Sequence, residues 1–138
     1  MGCGDSKQED KPKASAKQEI PEYKIIVIGD SSVGKTAIIH QYINGTFSKT
    51  GMAPTTGVQN QYKTVDVPGG GVDGKPPKMR LDIWDTAGQE SQQALARNFY
   101  SGSHAVIIVY GVDSPQTFKS VENHVNNVNQ YCNDENVL

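Results

Sequence analysis

The chain has 138 residues, 36% of them hydrophobic and 20% charged, which suits one domain with a real apolar core. Its formal net charge of -2 gives no basic footprint, so a nucleic-acid partner is not expected. No apolar run reaches membrane-span length and no signal-peptide pattern opens the chain; Cys3 and Cys132 show no ligand spacing and fit a reduced cytosolic protein.

Residues 1–20 are polar and charged, with one large aliphatic side chain at their end, and are expected to be a disordered tail. The globular domain is expected over 21–138. Ile25, Ile26, Val27 and Ile28 run without alternation, as in a strand buried on both faces of a parallel sheet. After a glycine-bounded loop, Ala37, Ile38, Ile39, Tyr42 and Ile43 recur at helical spacing, and 47–54 reads as an exposed loop. Two strands are expected at 59–67 and 79–84, joined by the glycine- and proline-rich stretch 68–78. Another buried strand is expected at 105–110. A final helix is expected with Ser114 as its cap, Pro115 at its first position, and Phe118, Val121, Val125, Val128 and Cys132 along one face. Strands alternating with helices predict an α/β fold, a doubly wound, mostly parallel sheet.

Between the first strand and the first helix, Gly29, Asp30, Ser31, Ser32, Val33, Gly34, Lys35 and Thr36 fit the phosphate-loop pattern G-x-x-x-x-G-K-[ST] at every fixed position. Glycines let the backbone fold tightly so that successive N–H groups face one point. The helix that follows adds its unpaired N–H groups and positive dipole end. Lys35 is placed to reach the β- and γ-phosphates, and Thr36 to ligate Mg²⁺. A nucleoside phosphate is the expected ligand.

Farther along, residues 81–90 read LDIWDTAGQE. The string D-x-x-G-Q at the end of a strand resembles the γ-phosphate sensor of Ras-superfamily GTPases, and WDTAGQE is similar to the Rab family. The resemblance covers about 22–138, including KTAIIHQYINGTF at 35–47 and FYSGSHAVIIVY at 99–110. It implies a P-loop fold that binds GTP and GDP with Mg²⁺. Asp85 then holds the metal, Gly88 offers a backbone N–H to the γ-phosphate, and Gln89 orients the attacking water. It also implies a first-switch threonine contacting metal and phosphate. By register that residue is Thr55, although the adjacent Thr56 leaves the choice open.

The same resemblance implies slow hydrolysis, with an exchange factor, a GTPase-activating protein and effectors as partners. No stabilising arginine is evident in cis. Trp84, and Phe99 in place of a tyrosine, correspond to effector-surface positions, whereas Asn60 stands where many Rabs place phenylalanine. The other readings are a non-catalytic membrane-tethered fragment with weak nucleotide binding, and a P-loop ATPase with Asp85 as its strand-end acidic residue. The chain ends near where the resembled family begins the strand leading to its guanine-reading motifs. Neither motif is present, so weak and poorly discriminating nucleotide binding is expected of residues 1–138.

The MGCGDS start fits the N-myristoylation pattern, with Gly2 as acceptor and Cys3 as a site for palmitate. A second lipid matters because one myristoyl chain binds membranes only marginally. This resembles an N-terminally acylated Rab subgroup of plants and protists and implies the cytoplasmic face of an endomembrane, endosomal by preference, or of the plasma membrane, in vesicle trafficking. His40, His104 and His124 show no ligand spacing and read as structural or solvated.

Overall fold

The computed structural model describes residues 19–47, 51–69, 71, 74–87, 93–132 and 137–138. Strand β1 (Glu22–Ile28) lies at the centre of the sheet and pairs in parallel with both neighbours, β3 (Lys78–Thr86) and β4 (Ala105–Ile108). Ile26, Val27 and Ile28 are 4% exposed or less, as a run without alternation demands. Strand β2 (Val58–Asp66) joins antiparallel to β3, with Val58 opposite Thr86 and Asp66 opposite Lys78, giving the order β2-β3-β1-β4. The sheet is therefore mixed and mostly parallel, the expected α/β class.

Helix α1 (Lys35–Asn44) covers one face, where Ile39 packs with Val27, Leu81 and Ile83. Helices α2 (Gln93–Tyr100) and α4 (Val121–Tyr131) cover the other, where Phe99 and Tyr100 pack with Ile26 and Ile28 against Val128, Tyr131 and Cys132. Among the described residues no helix is long and apolar enough to cross a membrane.

Several expectations need correction. β4 stops at Ile108, and its ladder ends with Val109 N–H donating to Ile28 O at 2.8 Å. Beyond that point β1 turns away at Gly29 into the phosphate loop, and among the described residues Tyr110 has no strand to pair with. The last helix divides at Ser120 into α3 (Pro115–Lys119) and α4. Ser114 makes no side-chain cap; the Thr117 hydroxyl closes that turn instead, on Ser114 O (2.7 Å) and the Gly111 backbone.

Phe118 and Val125 are exposed, Phe118 meeting Tyr110 edge-on at 5.1 Å. The inward face is Val121, His124, Val128, Tyr131 and Cys132, a stripe shifted by one residue from the apolar pattern. On α1, Ile38 and Tyr42 likewise face outward. At the free edge of β4, Val106 N–H donates to Leu138 O and Leu138 N–H to His104 O, a parallel pairing pattern.

Candidate phosphate and metal site

The phosphate loop leaves the end of β1 and enters α1, so its backbone lies at the carboxyl edge of the sheet, where open α/β sheets bind ligands. Gly29 has φ +147°, and a Cβ there would lie 2.1 Å from Val109 O; only glycine fits beside β4. Ser32 is the one non-glycine residue with positive φ among those described, at 64°. Gly34 precedes α1 and accepts the Ile38 N–H at 3.0 Å.

Lys35 is buried, and its ammonium donates to Gly29 O (2.9 Å) and Asp30 O (2.8 Å), bracing the loop from within. Burial lowers its pKa from the ordinary lysine value, against the opposing pull of Asp85 and Asp30. Three protons less these two bonds leave one N–H for a ligand oxygen.

Asp85, next to the end of β3 and 1% exposed, accepts from the Thr36 hydroxyl at 2.6 Å through Oδ2. The Thr36 Oγ1 in turn lies 2.6 Å from Thr55 Oγ1. Three oxygen-bearing side chains from α1, the segment before β2, and β3 thus converge. Thr55 is the threonine drawn in, while Thr56 is exposed. Burial raises the Asp85 pKa above the usual carboxylate range, although hydrogen bonds from Thr36, Thr86 and Thr55 and the Lys35 charge pull it down. Asp85 Oδ1 is buried without a partner among the described residues. An orphaned carboxylate oxygen beside two hydroxyls is a hard, anionic donor set, and it fits Mg²⁺. A cavity of about 540 Å³ opens beside it, bounded by the phosphate loop, residues 51–56, Thr86 and Ala87.

The Asp30 carboxylate faces α4, where His124 Nε2 donates to Oδ1 at 3.0 Å. Burial works to raise the Asp30 pKa, but hydrogen bonds from Ser120 and His124 and the charges of His124 and Lys35 win and hold it below the usual range. Ligand spacing in the sequence alone gives His124 no such role. Its spacing from Val121 and Val128 on the inward stripe was the available signal.

Trp84 is half-buried, and its indole N–H donates to Asp82 Oδ2 at 2.7 Å while Asn60 donates to Oδ1 at 3.2 Å. The Lys24 ammonium lies 4.4 Å from the Trp84 ring centre and caps α2 through Phe99 O (2.6 Å) and Ser101 O (2.9 Å). Phe99 is 7% exposed, edge-on to Trp84 and Tyr100, so it is a core residue and offers little surface to a partner. His40 bonds Thr46 O and His104 accepts the Lys24 N–H; no metal-holding His/Cys/Asp/Glu cluster occurs among the described residues. Gly88, Gln89, Gly2 and Cys3 lie outside the described residues.

Comparison with known proteins matches the "Ras family" model over residues 24–138. The chain is 40% identical over 116 residues to Ras-related protein RabC of Dictyostelium discoideum, covering 84% of this chain and 56% of that one. It is 38% identical over 109 residues to Ras-related protein Rab-18-B of Danio rerio, covering 79% and 49% respectively. Human Ras-related protein Rab-19 is 35% identical over 109 residues, covering 79% and 46%. The chain thus spans about half the length of the curated relatives it matches. With a phosphate loop at the sheet edge, a converged oxygen-donor set and a match over most of its length, this chain is a Rab-like member of the Ras family.

Proposed function

We propose that the chain supplies the phosphate- and Mg²⁺-binding half of a Rab-type guanine-nucleotide switch that works in vesicle trafficking. The convergence of Thr36, Thr55 and Asp85 beside Lys35 carries this reading. Lys35 and the loop N–H groups neutralise the β- and γ-phosphates, and Gly88 offers its N–H to the γ-phosphate. Thr36, Thr55 and Asp85 hold Mg²⁺, which when bound spreads the phosphate charge. Because Thr55 belongs to the segment before β2, its hold depends on the ligand, which is how a phosphate difference becomes a shape difference.

Gln89 orients water for a slow hydrolysis of GTP to GDP and phosphate. A GTPase-activating protein supplies the missing arginine, and an exchange factor and effectors complete the cycle. Trp84 is the residue of the expected effector surface that remains accessible. Gly2 and Cys3 carry myristate and palmitate on the 1–20 tail and hold the chain on an endomembrane, endosomal by preference, or on the plasma membrane.

Competition of GTP, GDP and ATP for a bound fluorescent nucleotide tests the reading. Guanine nucleotides should compete in the parent, and Lys35→Ala should bind none. Equal binding by Lys35→Ala refutes the phosphate site, and preference for ATP refutes the switch. Gln89→Leu should bind GTP normally and fail to hydrolyse it in a single turnover. Mass spectrometry of the N-terminal peptide from cells tests the lipids, and an unmodified Gly2 rules the anchor out.

A further inference from the structure

We infer that His124 is a positioning residue that holds the phosphate loop in its binding shape through Asp30. The inference rests on the nucleotide reading above for what the loop binds, and on geometry alone for how the loop is held. Asp30 is fixed at both ends. Its carbonyl accepts from Lys35 at 2.8 Å, inside the loop, and its carboxylate accepts from His124 at 3.0 Å, on a helix packed across the sheet. A carboxylate only accepts, so His124 Nε2 carries the proton that bonds it. The Ser120 hydroxyl, 3.3 Å from Gln116 O, also faces this carboxylate and has one proton for the two.

The loop needs such an anchor. Ser32 sits at φ 64°, a conformation that disfavours a side-chain-bearing residue and persists only where its surroundings dictate it. Gly29 is pinned on one side of Asp30 by its close approach to Val109 O. With Asp30 pinned as well, the chain enters the Ser31–Ser32 turn from a fixed direction, and the loop N–H groups stay aimed together. His124 stands on α4 with Val128 and Tyr131, which pack on the Phe99–Tyr100 end of α2, so the anchor itself is rigid.

His124→Ala and His124→Gln in the full chain separate the hydrogen bond from ring packing, because the glutamine amide can still donate to Asp30. Amide hydrogen exchange is read in nucleotide-free protein, and GDP affinity in parallel. His124→Ala should speed exchange of the loop amides and weaken GDP, each by about tenfold or more, the scale of a lost bond to a charged group. Exchange in β1 and β3 should stay at parent rates. His124→Gln should restore most of both effects. Parent-like loop exchange in His124→Ala overturns the inference, and so does a His124→Gln variant as loose as His124→Ala. A parent that binds no nucleotide removes the functional reading alone, and the exchange measurement then decides the role of His124 by itself.

Discussion

The Thr55 hydroxyl oxygen lies 2.6 Å from that of Thr36, although nineteen residues separate them, and the Thr36 hydroxyl bonds Asp85 at the same distance. Three segments distant in sequence meet at one hydroxyl. Thr55→Ala should therefore weaken Mg²⁺-dependent GTP binding by about tenfold or more, and GDP binding less. Thr56→Ala, at an exposed position, should change both by less than about 0.5 kcal/mol. Titrating Mg²⁺ against retained GTP in both variants decides between them. The assignment fails if Thr56→Ala is the more damaging.

Asp85 links stability to pH with a definite sign. Its folded-state pKa lies above its unfolded value because it is buried. As pH falls through the folded pKa toward the unfolded one, the folded chain binds more protons than the unfolded chain, so stability rises. Asp85→Asn cannot titrate. In chelator, without nucleotide, it should melt a few degrees above the parent at pH 7. The gap should close as pH falls toward 4, while Mg²⁺-dependent binding is lost at every pH. Melts across that range check the trend, and a gap that widens on acidification contradicts it.

Gly29 and Gly102 both have positive φ, yet only Gly29 touches a neighbour where a Cβ would go. Gly29→Ala places a methyl against Val109 O with no flexible atom to yield, and should cost roughly 3 kcal/mol or more. Gly102→Ala pays only for its left-handed backbone, about 1 kcal/mol. Urea midpoints of the two variants give the comparison. Near-equal losses would mean that the chain at Val109, just after β4, moves aside easily, and that the phosphate loop is less firmly seated than its contacts indicate.

Much of this was legible in the sequence because it is local. The phosphate loop is eight consecutive residues with one strand before it and one helix after it. β1 announces itself by four aliphatic residues without alternation. What the sequence hid depends on phase and distance. Asp30 and His124 are ninety-four residues apart, and their meeting requires α4 to turn His124 inward in place of Val125, a rotation that apolar counting did not give. Phe118 looked like core and instead covers Tyr110, because α3 ends one residue after it. Between Thr55 and Thr56 register favours Thr55 but leaves its neighbour open; in the structure β2 starts at Val58, Ala87 N–H donates to Gly57 O at 3.1 Å, and Thr55 is the one drawn to Thr36. Phe99 reads as a packing residue from its type and as a surface position only by resemblance; on α2, against the sheet, it is buried.

Asp82 is 7% exposed, and both of its carboxylate oxygens are used, one by the Trp84 indole and one by Asn60 on the paired strand. Residues 82 and 84 share a face because side chains alternate along β3, and register sets Asn60 opposite Trp84. This bracket fixes the orientation of Trp84, the accessible residue of the expected partner surface. Asp82→Leu leaves the indole N–H without an acceptor and the Asn60 amide with the Tyr62 hydroxyl alone, at a cost of roughly 1–3 kcal/mol. Asp82→Asn keeps one carbonyl acceptor and should recover most of that loss. The chain has 1 Trp, so emission reports this site alone. Asp82→Leu should shift the emission maximum and lower Tm by several degrees, and Asp82→Asn should do little of either. Emission unchanged in Asp82→Leu would mean that the Lys24 ammonium over the ring holds Trp84 without help from Asp82.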